Sequence, residues 1–562
     1  MGAVCGAALV SPALAAAADY STATASAKAY IERLAEADAP GCAVGAYAID
    51  SNRWVFLDAF GLADLEAGRA ITPGAIFGVA SVTKQFTAAA TAIAALEGRL
   101  SLDDDVRRHI PEMPEYGSAM TIRDLIGHTN GLRDIGRLTM LTGRPQDYVS
   151  QDARVQLLLR QRTLNFTPGE DYRYGNSGYL LLAEIIERVT GKSFPDYVDR
   201  VIFQPLKMTN SYFGTATRGD VDRALPYSPV DDAWRNDESF SLGDGGWGHQ
   251  GLMTTLEDYA KWLSNLYSDA SKLAGGAALL ATLRSQSSKR DGSLVPYGFG
   301  FRFETYKGLA TIGHGGSGLG YKAHTMIFPE RRMAILGFCN HGRYAQPMVM
   351  RLADIILDLG SDEASAPGAA HFALSPKALA KFSGAYREPA LRLPMFVEAV
   401  ENGLFVTGDV APSLFSPIAA NRFRNEEYLE IAFEMDGNGR AEALIQSGRR
   451  KYGTGRFARI DRVVPSPDAL LQYAGDYYSD ELEAVYRFGV EGGKLTARIL
   501  DGDAYSISPF TFEPMLKHEF VAPDNRLAIR FRDDEEGHPT EMALTYQFGW
   551  ITDVRFKRID QH

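Results

Sequence analysis

The stretch "GVASVTKQFTAAATAIAALEG" (78–98) is the most informative part of this 562-residue chain. It places Ser81 and Lys84 at the head of an alanine-rich run, which predicts a buried helix from Ser81 to Leu96 that Gly98 ends. Residues three apart share a helix face, so the serine could be a nucleophile and the desolvated lysine its base. Alternatively, the serine only caps the helix and the lysine is solvated.

Two later stretches carry further candidate residues. In "FTPGEDYRYGNSGYLLLAEIIERVTG" (166–191), Tyr174 and Asn176 are two apart before a predicted helix and can face one cavity. In "TIGHGGSGLGYKAHTMIF" (311–328), His314 lies among glycines that permit a close backbone approach. The alternatives are a packed tyrosine with a helix-capping asparagine, and a glycine bulge with a surface histidine.

Composition excludes several classes of function. The net charge of −12 argues against a nucleic-acid partner, and no internal run is long and apolar enough to span a membrane. The three cysteines, Cys5, Cys42 and Cys339, form no CxxC pair, so no disulfide framework is expected. The histidines lack ligand spacing, and we predict neither a metal site nor a cofactor.

The amino-terminal stretch "MGAVCGAALVSPALAAAADYS" is apolar and rich in small residues. It predicts a signal peptide over residues 1–18 and hence a periplasmic or secreted protein. The alternative is a disordered alanine-rich leader.

Periodicity divides the rest of the chain into three parts. Strand patterns at 40–60 and 297–339 flank helical patterns, which predicts one α+β domain over residues 19–361. A Ser/Ala/Gly/Pro-rich linker covers 362–373. A repeat then follows, since "FSGAYRE" and "RFARID" recur in order as "YAGDYYS" and "RFKRID". It predicts two small antiparallel β-barrels over 374–462 and 463–562.

Taken together, the order Ser81-x-x-Lys84, Tyr174-x-Asn176, His314-x-Gly316 resembles the serine β-lactamase and penicillin-recognising hydrolase superfamily. The resemblance covers roughly residues 40–345. It implies a β-lactamase/transpeptidase-like domain, with an antiparallel sheet flanked by helices. The stretches "GLRD", "GDGG", "PYGFGF", "GHGG" and "YYSDELEA", together with two carboxy-terminal β-domains, are most similar to the D-aminopeptidase branch.

The resemblance also implies a role for each site residue. Ser81 would attack the substrate carbonyl, and Lys84 and Tyr174 would share the proton transfers; the sequence leaves open which is the base. The backbone N–H groups of Ser81 and Ser317 would form the oxyanion hole. The expected substrate-binding residues are Asn176, His314, Gly316, Ser317 and, for a substrate ammonium group, Asp244.

The expected function is therefore a serine hydrolase that forms an acyl-enzyme on Ser81 and cleaves small peptide amides as a D-aminopeptidase does. The first alternative is a broad-specificity esterase or amidase. A DD-carboxypeptidase or β-lactamase comes next, although His314 replaces the lysine usual there. A non-catalytic envelope binding protein is the last alternative. The barrels could shape the cleft or mediate a homodimer, and the sequence leaves both open.

Overall fold

The structure is a computed structural model that describes most of residues 20–559. The exceptions are 37, 215–221, 232, 238–245, 319, 343–344, 361–373, 388–393, 409–412, 426–428, 448–454, 504–506, 508, 523–526 and 547–550. The predicted signal peptide, the predicted linker and Asp244 lie outside the described residues. Among the described helices, none combines the length and the apolar character needed to cross a membrane.

A seven-stranded antiparallel sheet forms the centre of the first domain, in the order β10-β11-β12-β13-β14-β1-β2. Its first and last strands along the chain are adjacent, so the sheet joins both ends of the domain. The strands of this domain are β1 Cys42–Ala48, β2 Arg53–Phe60, β3 Leu62–Asp64, β4 Arg69–Ala70, β5 Phe77–Gly78, β6 Tyr212–Phe213, β7 Tyr227–Val230, β8 Ala233–Asn236, β9 Leu252–Thr254, β10 Tyr297–Gly298, β11 Phe301–Tyr306, β12 Leu309–Gly318, β13 Tyr321–Phe328 and β14 Met333–Cys339.

Helices cover both faces of this sheet. The α-helices of the chain are α1 Ser21–Leu34, α2 Lys84–Leu96, α3 Ile122–Gly127, α4 Ile135–Leu141, α5 Gln151–Leu159, α6 Ser177–Thr190, α7 Phe194–Val198, α8 Gln204–Leu206, α9 Leu256–Leu266, α10 Gly276–Leu283, α11 Ala345–Leu357, α12 Pro376–Leu379 and α13 Pro467–Leu470. One face packs on α1 and α11 and the other on the cluster that contains α2, α6 and α9. Side chains of β14 alternate between these two cores, as a strand covered on both faces requires.

The small side chains of α2 explain its central position. Its residues from Lys84 to Ala94 are all buried, and alanines let α6 and α10 pack closely against it. The predicted helix was right in extent but not in its first turn, because Ala80–Thr83 forms a 3₁₀ turn before α2 begins at Lys84. Helix α6 ends at Gly191, as predicted, with that glycine at φ 66°.

The structure corrects the expectation about cysteines. Cys42 and Cys339 are directly opposite each other on β1 and β14 and are joined by a disulfide. Their positions are 297 residues apart in sequence, so only the fold brings them together. A single buried disulfide therefore links the start of β1 to the end of β14.

The repeat folds as two closed barrels of eight antiparallel strands each. Closure leaves no free sheet edge, which is why so small a β-domain can be stable. The strands of the first barrel are β15 Gly384–Arg387, β16 Pro394–Val400, β17 Gly403–Thr407, β18 Ser413–Ala419, β19 Arg422–Arg424, β20 Glu430–Met435, β21 Ala441–Ser447 and β22 Gly455–Ile460; those of the second are β23 Gly475–Ser479, β24 Ala484–Glu491, β25 Lys494–Ile499, β26 Phe510–Leu516, β27 Glu519–Val521, β28 Leu527–Asp533, β29 Pro539–Tyr546 and β30 Ile551–Ile559.

The second barrel docks on the first domain near the end of α4. The Tyr486 hydroxyl donates to the Leu141 carbonyl at 2.9 Å. The backbone N–H of Asp503 donates to the Gly143 carbonyl at 2.8 Å. The predicted fold class, an α+β catalytic domain followed by two antiparallel β-barrels, is confirmed.

Candidate active site

Ser81 lies in the 3₁₀ turn that precedes α2 and is partly exposed. The residue before it, Ala80, has φ 44°, in the left-handed region that residues with a Cβ rarely adopt. Such backbone conformations cluster at functional sites because packing must hold them in place. The turn presents Ser81 at the amino-terminal end of the central helix, where free N–H groups favour negative charge.

Lys84 is completely buried, as expected for a catalytic lysine. Its Nζ lies 3.0 Å from Ser81 Oγ, 2.9 Å from Asn176 Oδ1 and 2.9 Å from the His249 carbonyl oxygen. Desolvation lowers the pKa of Lys84 well below its usual range, and Asp134 opposes that shift. The sequence alternative of a solvated lysine is therefore wrong.

Asn176 holds the N-cap position of α6, yet its side chain makes no capping hydrogen bond. Its amide oxygen accepts from Lys84 instead, and its backbone N–H donates to Asp134 Oδ2 at 2.8 Å. The Asn176 side chain therefore binds Lys84 and does not cap α6. Ser177, the first residue of α6, fixes the same loop by donating to the Arg133 carbonyl.

The Tyr174 ring lies between two cations. Lys84 Nζ is 5.0 Å from the ring centre and the Arg302 guanidinium carbon is 4.8 Å from it. The Tyr174 side chain is hydrogen-bonded with Ser81. Burial raises the pKa of Tyr174 to about 12, although Arg302 favours the phenolate, so the hydroxyl is protonated at neutral pH.

His314 lies behind Tyr174, with 5.8 Å between the ring centres. Its Nδ1 is 2.6 Å from the Gly315 carbonyl oxygen, so Nδ1 carries the proton. Its Nε2 then accepts from the Tyr297 hydroxyl at 2.9 Å. Burial lowers the pKa of His314 well below its usual range, so the ring is neutral. Both ring nitrogens are used within the protein, which makes His314 part of the wall of the site.

Gly316 brings strand β12 against the backbone just before the Ala80–Thr83 turn. A Cβ at this position would lie 2.1 Å from the Val79 carbonyl oxygen, so only glycine fits. The next residue, Ser317, is exposed, and its hydroxyl accepts a hydrogen bond from Lys322. The backbone at Val79 is therefore in contact with the backbone at Gly316. The predicted oxyanion donors, the N–H groups of Ser81 and Ser317, lie two residues and one residue after these contact points.

The fold brings together residues that the sequence motifs predicted from positions more than 200 apart. They are Ser81, Lys84, Tyr174, Asn176, His314, Gly316 and Ser317; Asp244 lies outside the described residues.

Four neighbours were not predicted as site residues. Asp134 raises the pKa of Lys84 and Arg302 lowers it. The rings of His128 and Tyr297 pack against Tyr174, with ring centres 4.5 and 5.9 Å from that of Tyr174. Asp134 ends "GLRD" and Tyr297 lies in "PYGFGF", which Arg302 follows directly. These two stretches were the only features of the sequence noted above near three of the four residues.

One described group of side chains has the composition of a metal site. Cys42, Cys339 and His341 are buried, with ligand atoms within 4.8 Å of one another. The two cysteines are joined by a disulfide, so neither offers the thiolate that a metal requires.

Known proteins resemble this chain both in its first domain and over most of its length. The profile of the Beta-lactamase family matches residues 27–359. A D-aminopeptidase of Brucella anthropi is 26% identical over 545 residues, covering 93% of this chain and 96% of that protein. A D-aminopeptidase of Gluconobacter oxydans is 27% identical over 438 residues, covering 77% of this chain and 79% of that protein.

Solved structures share the fold at lower identity. An octameric penicillin-binding protein homologue from Pyrococcus abyssi superimposes with a TM-score of 0.56 and 21% identity, covering 77% of this chain and 99% of that one. The D-amino acid amidase of Ochrobactrum anthropi SV3 gives a TM-score of 0.50 and 22% identity, covering 60% and 97%. The family match, the D-aminopeptidase relatives and the contacts of Ser81 with Lys84 and Tyr174 together indicate a serine hydrolase.

Proposed function

Because this chain belongs to the Beta-lactamase family, we propose that it is a serine hydrolase that forms an acyl-enzyme on Ser81 and cleaves small peptide amides, as D-aminopeptidases do. The observation that carries the proposal is the hydrogen bonding of Lys84. Two of its three partners, the Asn176 amide oxygen and the His249 carbonyl, can only accept. A neutral amine gives them its two N–H groups and directs its lone pair at Ser81.

Lys84 is therefore the general base in this proposal. It takes the proton from Ser81 as the Oγ–carbon bond forms, and the carbonyl oxygen becomes an oxyanion. The N–H groups of Ser81 and Ser317 stabilise that oxyanion, and removing one such donor costs about 3 kcal/mol. The pKa of Lys84, lowered by desolvation, supports the assignment.

Tyr174 acts as the proton carrier to the leaving group. Its hydroxyl is protonated and hydrogen-bonded with Ser81. As the carbon–nitrogen bond breaks, the proton taken from Ser81 by Lys84 reaches the leaving amine by way of Tyr174. Water then attacks the acyl carbon and gives a proton to Lys84. As the bond between that carbon and Ser81 Oγ breaks, Lys84 returns this proton to Oγ and the acid product leaves.

The similarity to D-aminopeptidases over most of the chain supports a short peptide amide, with an ester as the second kind of substrate. A substrate ammonium group needs an acidic partner, a role we propose for Asp244. The buried disulfide supports a periplasmic or secreted location, because disulfides persist in oxidising compartments.

Arg302 favours a second candidate, a carboxypeptidase-like activity. Its guanidinium lies against Tyr174, and no carboxylate of the described residues forms an ion pair with it. It offers a cation that His314, as a neutral residue, does not provide. A substrate carboxylate beside the scissile bond would find its partner there.

The test is a panel of D- and L-aminoacyl p-nitroanilides, simple p-nitrophenyl esters and peptides with a free carboxylate, assayed with wild type and Ser81→Ala. The proposal expects hydrolysis of D-aminoacyl anilides that Ser81→Ala abolishes. Turnover of esters alone would favour the esterase. Preference for peptides with a free carboxylate would favour the second candidate. Unchanged activity in Ser81→Ala would exclude the mechanism.

A further inference from the structure

Arg133 is a buried arginine whose five N–H groups all have acceptors. Its side chain has no exposed surface, so each donor needs a partner within the protein. Three of the five acceptors belong to the second barrel. The contacts are Nε to the Thr552 carbonyl at 2.9 Å, Nη1 to Gln161 Oε1 at 2.8 Å and to Glu481 Oε2 at 2.7 Å, and Nη2 to Thr163 Oγ1 at 2.6 Å and to the Asp553 carbonyl at 2.9 Å.

Glu481 is the charged partner of Arg133 and lies in the turn between β23 and β24. Its side chain is only 7% exposed. Its second carboxylate oxygen accepts from the Arg162 N–H at 2.7 Å, and its backbone carbonyl accepts from Gln161 Nε2. Both carboxylate oxygens are thus bound to the catalytic domain. A buried charge of this kind is stable only while its partner stays in place.

From Arg133 the contacts continue directly into the active site. Its carbonyl accepts from Ser177 Oγ, and the next residue, Asp134, accepts from the Asn176 N–H at 2.8 Å. Asn176 in turn accepts from Lys84 at 2.9 Å. The backbone at 133–134 therefore joins the barrel to the residue that binds the catalytic lysine.

We propose that Glu481 of the second barrel is a positioning residue of the active site. By anchoring Arg133, it fixes Asp134 and thereby the orientation of Asn176 towards Lys84. This inference rests on the proposed function for the roles of Asn176 and Lys84. It gives the second barrel a part in catalysis that does not require the barrel to touch substrate.

Glu481→Gln tests the proposal, with Glu483→Gln as a matched control. Glu483 belongs to the same interface, but it is 49% exposed and its carboxylate lies 3.4 Å from Arg160. Two properties of the full chain are measured. The first is hydrogen exchange of peptides that cover 133–135 and 174–177. The second is kcat and KM for D-alanine p-nitroanilide.

In Glu481→Gln we expect faster exchange at 133–135 and 174–177 and a fall in kcat of about 10- to 100-fold, because small misplacements of catalytic groups are costly. KM should stay within about twofold, and Glu483→Gln should match wild type in both measurements. A folded Glu481→Gln protein with wild-type exchange at 174–177 would overturn the proposal. So would faster exchange there with kcat unchanged.

The wild type could lack activity on these substrates, and Glu481→Gln could fail to fold. If wild type hydrolyses no amide or ester, the proposed function fails, and the exchange measurement alone decides whether Glu481 orders the loop. If Glu481→Gln does not fold, Glu481→Asp replaces it, since it keeps the charge but shortens the reach to Arg133. That variant should show the same faster exchange at 174–177, and wild-type exchange would again overturn the proposal.

Discussion

The amide oxygen of Asn176 lies 2.9 Å from Lys84 Nζ, although Asn176 occupies a helix N-cap where its side chain would ordinarily bind backbone N–H groups. The side chain is instead committed to a buried lysine. An uncharged acceptor here solvates the amine without favouring its protonation as a carboxylate would. An uncharged acceptor thus leaves in force the lowering of the Lys84 pKa that burial causes.

Asn176→Asp therefore tests the choice directly. A carboxylate in contact with Lys84 stabilises the ammonium form and raises its pKa. Because only the neutral amine accepts the Ser81 proton, activity should be lost over a wider acidic range, and the acidic limb of kcat/KM should move to higher pH. The measurement is the pH profile of kcat/KM for wild type and variant. An unchanged acidic limb would mean that Asn176 does not tune Lys84.

Lys84→Arg tests the base itself. Burial lowers the pKa of Lys84, so wild-type activity should be present at neutral pH and lost as pH falls through that pKa. An arginine stays protonated, and kcat/KM should fall by about 10²- to 10⁴-fold at all accessible pH values. Lys261→Arg, at a partly exposed position of α9, is the control and should behave as wild type. Recovery of Lys84→Arg at alkaline pH would contradict the assignment.

Tyr174→Phe separates the hydroxyl from the ring. The ring contacts with Lys84 and Arg302 remain, while the hydrogen bond with Ser81 is lost. We expect kcat to fall by about 10²- to 10⁴-fold with little change in the unfolding temperature. Tyr172→Phe, two residues earlier and also buried, is the matched control. Equal losses in both variants would indicate that packing, rather than proton transfer, explains the effect.

Much of this site could be predicted from sequence because its chemistry is carried by short motifs. Ser81, Lys84, Tyr174 and Asn176 each lie in a local pattern that fixes which neighbours share a face or a loop. The two barrels were predictable for a similar reason, since a repeat with matched ends implies two copies of one unit.

The remaining features depend on contacts between distant parts of the chain. Asp134 ends "GLRD" and Arg302 follows "PYGFGF", but neither stretch reveals an effect on Lys84, because that effect arises only when three separate elements pack together. The same holds for Arg133 and Glu481, whose burial could not be read from charge patterns that usually mark solvated surfaces. The three motifs in order, through the family they resemble, therefore predicted the reacting groups but not the residues that orient them.

Gly316→Ala tests the close approach of β12 to the Ala80–Thr83 turn that carries Ser81. The added Cβ would meet the Val79 carbonyl oxygen at 2.1 Å, so the strand must move away from Ser81. An ångström of displacement can cost about 100-fold in rate. Gly315→Ala is the matched control, because its Cβ would lie 3.4 Å from the nearest atom, His324 Nδ1, and should fit. Comparable kcat/KM in the two variants would contradict this account of Gly316.

The disulfide between Cys42 and Cys339 should stabilise the fold without entering catalysis. It closes a loop across 297 positions, and in the chain-entropy model such a crosslink stabilises the folded state by roughly 6 kcal/mol. The double variant Cys42→Ala with Cys339→Ala should therefore unfold at a lower urea concentration while keeping its kcat/KM at low temperature, because neither sulfur contacts the catalytic residues. Wild type treated with a thiol reductant in partly unfolding urea should approach the stability of the variant. If the double variant unfolds at the wild-type urea concentration, the packing of β1 on β14 alone holds the two ends of the domain together.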